Sequence, residues 1–142
     1  MEIKNKKAYF NYFIEKEIEA GIVLVGTEIK SVRANKVNLT DSYVRIKNNE
    51  AYIINMFIEK YDKGNIFNHD ETRERKLLLH KREIKKIYEQ IKKEGYTLVP
   101  LKVYMKNNKA KVLIGLAKGK KVYDKRESIK KRDLERDIRY RR

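Results

Sequence analysis

The chain has 142 residues, 36 Lys and Arg against 20 Asp and Glu, a formal net charge of +16, and neither Cys nor Trp. That length suits one domain able to bury roughly 17,000 Å² on folding, enough for a core without staples. The lack of Cys excludes a disulfide framework, a thiolate zinc site and a cysteine nucleophile, and it fits a reducing, cytoplasmic setting. The longest uninterrupted apolar run, Ile22 to Val25, is far too short for a membrane span. So high a charge opposes compaction and asks for a polyanion. The most basic stretch carries few large apolar residues, which disfavours a membrane surface and favours nucleic acid.

Residues 1–11, polar with Lys4, Lys6 and Lys7, read as an arm. Tyr12, Ile14, Ile18, Ile22 and Leu24 recur at period two, which predicts a strand with Gly21 as a bend or bulge. A short helix follows, with Thr27 as its cap, Glu28 suiting the dipole of the first turn, and Ile29 and Val32 facing inward. Residues 41–59 read as a hairpin about Asn48-Asn49. Residues 61–75 show little periodicity and are expected to form a long surface loop, a common home of function. Leu77 to Leu79 reads as a short buried segment. Ile84, Ile87, Tyr88 and Ile91 define a helix over 82–94 with Gly95 as its C-cap. A second hairpin, 96–106 with 109–117, turns at Asn107-Asn108, and Pro100 within it implies an edge or a bulge. The sum is a mainly β chain with two or three helices, expected as an OB-like, partly open antiparallel barrel over residues 1–117.

Residues 118–142 differ in kind. They hold twelve basic residues, five acids and few large apolar side chains. Such a segment cannot bury enough surface to offset its ordering entropy, so a basic tail disordered when free is expected. Its composition is compatible with a helix formed against a polyanion.

Catalysis finds little support. His69-Asp70-Glu71 sets an imidazole beside two carboxylates, but neighbours along a loop do not converge on one point, and nucleotide-binding, hydrolase and zinc-protease motifs are absent. No catalytic residue, metal or cofactor is assigned. The run Thr72 to Lys76 suits either a solvated loop or guanidinium groups on phosphates. Tyr9, Tyr12, Tyr61 and Tyr123, beside basic residues, could stack on unpaired bases. Glu19 is an acid that lies off an RNA face or accepts from base amino groups.

Several stretches, in order, resemble a known family. They are Asn5-Lys6-Lys7-Ala8 with Tyr12 to Glu15, Glu19-Ala20-Gly21 running into Gly26 to Arg33, and Asp41 to Val44. Arg73 to His80, Glu94 to Leu101, Gly115 to Lys121 and Asp124-Lys125-Arg126 complete the set. The chain resembles the small protein B (SmpB) family of SsrA-binding proteins along nearly its whole length. The resemblance implies a barrel that binds the tRNA-like domain of transfer-messenger RNA (tmRNA), as a monomer, and carries it to stalled ribosomes for trans-translation, with no membrane involved. The implied tmRNA-binding residues are Asn5, Lys6, Lys7, Tyr12, Glu19, Arg33, Arg73, Arg75, Lys76 and Leu77. The tail, through Gly119, Lys120, Lys121, Tyr123, Asp124, Lys125, Arg126, Lys130, Lys131 and Arg132, is implied to reach the decoding centre and mRNA channel of the small subunit. Tyr123 stands where many members carry His, and Leu134 where a Trp is common. The rival readings are a general single-strand-binding OB module, a nuclease using His69 and Asp70, and a structural protein of the ribosome.

Overall fold

The structure is a computed structural model that describes residues 2–62 and 68–120. Its elements run β1 (Glu2–Lys4), α1 (Lys6–Asn11), β2 (Tyr12–Ile22), α2 (Gly26–Arg33), β3 (Val37–Asn38), β4 (Tyr43–Lys47) and β5 (Glu50–Ile54). They continue with β6 (Phe57–Ile58), β7 (Arg75–Leu78), α3 (Lys81–Glu94), β8 (Thr97–Lys106) and β9 (Lys109–Gly119). Seven strands form one antiparallel sheet in the order β1-β8-β9-β2-β7-β5-β4, and β3 pairs with β6 beside it. A mainly β chain with three helices is thus what forms. The sheet is curled but not closed, because β4 comes within 8 Å of β8 without joining its ladder.

Asparagine makes the tight turns. Asn48 and Asn49 have φ of 53° and 62°, and Asn107 and Asn108 have 52° and 63°. Two successive left-handed residues give the turn whose twist matches a hairpin, and Asn tolerates that region better than other side chains. Asn55, also left-handed at φ 62°, breaks the expected return strand, so Phe57 and Ile58 leave to pair with β3. Gly95 caps α3 at φ 74°. The proline bulge is present too: the β8–β9 register shifts between Pro100 and Lys102.

Other local expectations fail as well. The first eleven residues are not an arm, since β1 extends the sheet beside β8 and Asn5 caps α1. Gly21 is regularly paired, and the bulge of β2 falls between Ile14 and Lys16. Thr27 does not cap α2; Val25 holds that position, and the Glu28 carboxylate reaches back to its N–H at 2.9 Å.

The inner face buries Ile18, Ala20 and Ile22 of β2 with Val112, Ile114 and Leu116 of β9, closed by Val32 of α2 and Ile87 of α3. On the outer face, Ala8 of α1 packs against Val99, Leu101 and Ala117. Gly115 leaves room there: a Cβ would stand 3.0 Å from Leu101 Cδ1, so that side chain would have to shift. Beyond α1 the outer face is open, and the candidate site lies on it.

Candidate nucleic-acid interface

Strand pairing assembles the open face from residues far apart in the chain. Glu19 lies opposite Leu113, which lies opposite Lys102, while Gly21 lies opposite Lys111, which lies opposite Tyr104. Paired residues share a face, so Glu19, Lys111, Tyr104 and Lys106 converge. The Tyr104 hydroxyl donates to the Glu19 carboxylate, and Lys106 Nζ approaches it at 3.5 Å. The Tyr104 hydrogen bond, reinforced by Lys106 and Lys111, holds the Glu19 carboxyl below its ordinary range. Burial and then the Glu19 charge push the Tyr104 phenol up, so it remains a donor. The result is an exposed carboxylate with a fixed orientation and lone pairs to spare.

Next to it, Gly21 pairs with Leu78 of β7, whose side chain is 54% exposed. A groove of about 480 Å³ runs over Leu78, with Lys76, Lys81 and Lys111 as well as Glu19, Glu50 and Glu83 around it. Lys76 also pairs with Glu50 at 3.4 Å. Each element has its use toward a folded RNA. Ammonium groups can neutralise phosphates, Leu78 and the bare Gly21 backbone can admit a flat ring or sugar, and the Glu19 carboxylate can accept from base or ribose donors.

The expected site residues do not fall in one place. Glu19 and Lys76 stand on this groove. Lys6, Lys7 and Tyr12 lie at the far end of β2, where Tyr12 pairs with Gly119 and Lys120 Nζ sits 5.2 Å from the Phe13 ring centroid. Seven residues of strand separate Tyr12 from Glu19, roughly 23 Å. Arg33 is exposed at the end of α2. Lys121, Tyr123, Asp124, Lys125, Arg126, Lys130, Lys131 and Arg132, with most of the expected tail, fall outside the described residues.

The remaining expected contacts serve the scaffold. Asn5 is buried, its Oδ1 accepting from the Ala8 N–H at 3.2 Å and its Nδ2 donating to the Pro100 carbonyl at 2.9 Å. Leu77 is wholly buried in the core. Arg75 is wholly buried too, its Nε donating to Glu28 at 2.6 Å and its remaining nitrogens to the carbonyls of Met56, Asp70 and Glu71. Arg75 and Leu77 present no exposed surface, while Asn5 keeps 8% exposure beside a cavity that Lys7 and Tyr12 also line. Arg73 is intermediate: it donates to Glu28 at 2.7 Å and keeps a partly exposed edge.

His69 is likewise structural. Its ring lies between the Ile58 carbonyl and the Thr27 hydroxyl, each at 2.9 Å. A carbonyl only accepts, so Nε2 carries a proton, and Nδ1 is engaged by the Thr27 hydroxyl. A buried imidazole with both nitrogens engaged is not free to act as a base, which removes the nuclease reading's central residue. Among the described residues no group of three or more acidic or histidine side chains is placed to hold a metal, and no helix is long and apolar enough to cross a membrane.

Sequence names none of Gly21, Leu78, Tyr104, Lys106 and Lys111 as a site residue: Gly21 reads only as a bend or bulge, and Leu78 only as part of a buried segment, whereas the alternation of β7 turns it outward. A signal was there in Lys102-x-Tyr104-x-Lys106 and Lys109-x-Lys111, whose period two marks a basic outer face of a hairpin. What sequence lacks is the pairing that brings Lys111 beside Gly21 and Leu78.

Fold and site together define a small cationic β protein of nucleic-acid-binding type, with phosphate-neutralising amines around an apolar, carboxylate-bearing groove. Comparison with known proteins makes this specific. The pattern of the family described as SmpB protein matches residues 2–141. SsrA-binding proteins of Streptococcus agalactiae, Ligilactobacillus salivarius and Shouchella clausii are 63%, 60% and 59% identical to the chain; the matches cover 95%, 96% and 95% of it and 87%, 88% and 86% of the relatives. A solved chain from "tmRNA-SmpB: a journey to the center of the bacterial ribosome" is 46% identical and superposes with a TM-score of 0.73 over 95% of each chain. The chain belongs to the SmpB family.

Proposed function

We propose that this protein is an RNA-binding adaptor, not an enzyme, that binds the tRNA-like domain of tmRNA and delivers it to stalled ribosomes for trans-translation. The observation that carries the reading is the match to SsrA-binding proteins across nearly the whole chain, together with likeness to the SmpB chain of a ribosome assembly. The curl that brings β4 beside β8 supports an OB-like barrel left partly open. On this reading Glu19, Lys76 and the groove around Leu78 hold the RNA, and the exposed Arg33 and the partly exposed Arg73 add phosphate contacts. Lys6, Lys7 and Tyr12 flank the root of a basic segment, residues 118–142, that acts at the decoding centre and mRNA channel of the small subunit. Protein and RNA partners of this kind meet in the cytoplasm.

The test is Glu19→Ala. A carboxylate that meets RNA donors contributes about 1–3 kcal/mol, so affinity for the tRNA-like domain should fall by that much in a gel shift with bulk tRNA as competitor. Urea unfolding should stay within about 0.5 kcal/mol of wild type, as for an exposed residue. Unchanged affinity with a lowered midpoint would show that Glu19 serves only the fold.

A further inference from the structure

Helix α3 carries a face that the groove on the sheet reaches only at Lys81. Ile84 and Ile87 turn into the core, and Ile91 packs against it. Tyr88, expected inward from its spacing, is instead 45% exposed. Lys81, Lys85, Tyr88 and Lys92 follow one another at intervals of four, three and four residues, so they form one straight stripe on the helix. Lys92 Nζ lies 5.4 Å from the Tyr88 ring centroid. The stripe opens on a groove of about 770 Å³ that reaches Asn49 of the β4–β5 turn. Among the described residues neither Lys81 nor Lys85 is ion-paired, and the helix holds six basic residues against three acidic ones.

We propose that this stripe is a second RNA-backbone contact, gripping phosphates of the same tmRNA that occupies the sheet groove. The inference rests on that functional reading and extends its surface. Continuity is the first argument: Lys81 lines both the sheet groove and the α3 groove, so a bound strand leaving Leu78 meets Lys85, Tyr88 and Lys92 next. Charge and reach are the second. From Lys81 to Lys92 the helix rises about 16 Å, which faces several phosphates at one charge per roughly 3.4 Å of each strand. Composition is the third. A protein interface needs an apolar centre, and this face offers one aromatic ring among amines; such a ring suits stacking on a base or sugar.

The measurement is tmRNA affinity as a function of salt for wild type, for Lys85→Gln with Lys92→Gln, and for Arg82→Gln with Lys86→Gln. Both double variants remove two charges from exposed positions of α3, but the second pair lies off the stripe. Each phosphate contact contributes roughly 0.7–0.9 to the slope of log K against log salt. The stripe variant should therefore lose about 1.5 from the slope and roughly tenfold or more in affinity, while the off-stripe variant keeps the wild-type slope. Tyr88→Ala should weaken binding with the slope intact. Equal slopes for the two double variants, with wild type still selective for tmRNA over bulk tRNA, would overturn the α3 contact, assign the face to an acidic protein instead, and leave the sheet-groove reading standing. Loss of that selectivity in the wild type would overturn both.

Discussion

Replacing Glu28 by Gln is expected to cost about 3–5 kcal/mol of folding stability at neutral pH, the range for breaking a buried charge pair. Glu28 and Arg75 are both wholly buried, 2.6 Å apart. Four donors converge on the one carboxylate: Arg75 Nε, Arg73 Nε and Nη2, and the Val25 N–H. An amide can take only part of that set and leaves the Arg75 guanidinium uncompensated. The damage reaches the site, because Arg75 also ties Met56, Asp70 and Glu71 to the start of β7, the strand that presents Lys76 and Leu78. Acid provides an internal check. Burial alone would raise the Glu28 carboxyl, but the bonds from Arg73, Val25 and Arg75 outweigh it and hold it below the ordinary range. A depressed folded pKa stabilises fully above the unfolded value of about 4.3 and is lost as pH falls through the folded value. The gap between wild type and Glu28→Gln in urea unfolding should therefore be full at pH 7 and shrink below about pH 4. A variant as stable as wild type at pH 7, or a gap unmoved by acid, would contradict this account of the pair.

Removing residues 120–142 is expected to abolish peptide tagging while leaving tmRNA affinity within about tenfold of wild type. The geometry behind this is the length of β2. Gly119 pairs with Tyr12 at one end, and Glu19 stands toward the other, roughly 23 Å away. That exceeds the Debye length of about 8 Å at physiological salt, so Lys120, held over Phe13 at that end, acts weakly on a phosphate held at the groove. Nothing in the described packing of the groove depends on the removed residues. Tagging is read in a translation extract stalled on a message without a stop codon, and affinity by gel shift. A truncated protein that no longer retains tmRNA would show that binding and action on the ribosome are not divided in this way.

Local chemistry was legible from the chain, and long-range pairing was not. Two Asn-Asn pairs announced both hairpin turns, Pro100 announced a bulge, and Gly95 announced the end of α3, because each depends on the backbone preferences of one or two residues. Tyr88 was placed on the wrong side because a residue at the margin of an apolar stripe satisfies the same spacing whether it is buried or exposed. Arg75 and Leu77 were grouped with Arg73 and Lys76 as one RNA-facing run. Yet β7 alternates buried and exposed along Arg75, Lys76, Leu77 and Leu78, so a strand divides that run between core and surface. Glu28 looked like an ordinary first-turn acid. Its role as the hub of a buried network depends on Arg73 and Arg75, more than forty residues on, and no local pattern reveals that.

The central claim is that this groove, on a strongly basic protein, recognises one folded RNA rather than nucleic acid at large. It is tested most directly by isolating the intact protein from cells at physiological salt and sequencing the RNA that stays bound. The account predicts strong enrichment of tmRNA over its cellular abundance, reduced in Glu19→Ala. Bound RNA that mirrors the cellular pool, dominated by bulk tRNA and ribosomal fragments and indifferent to Glu19, would contradict it.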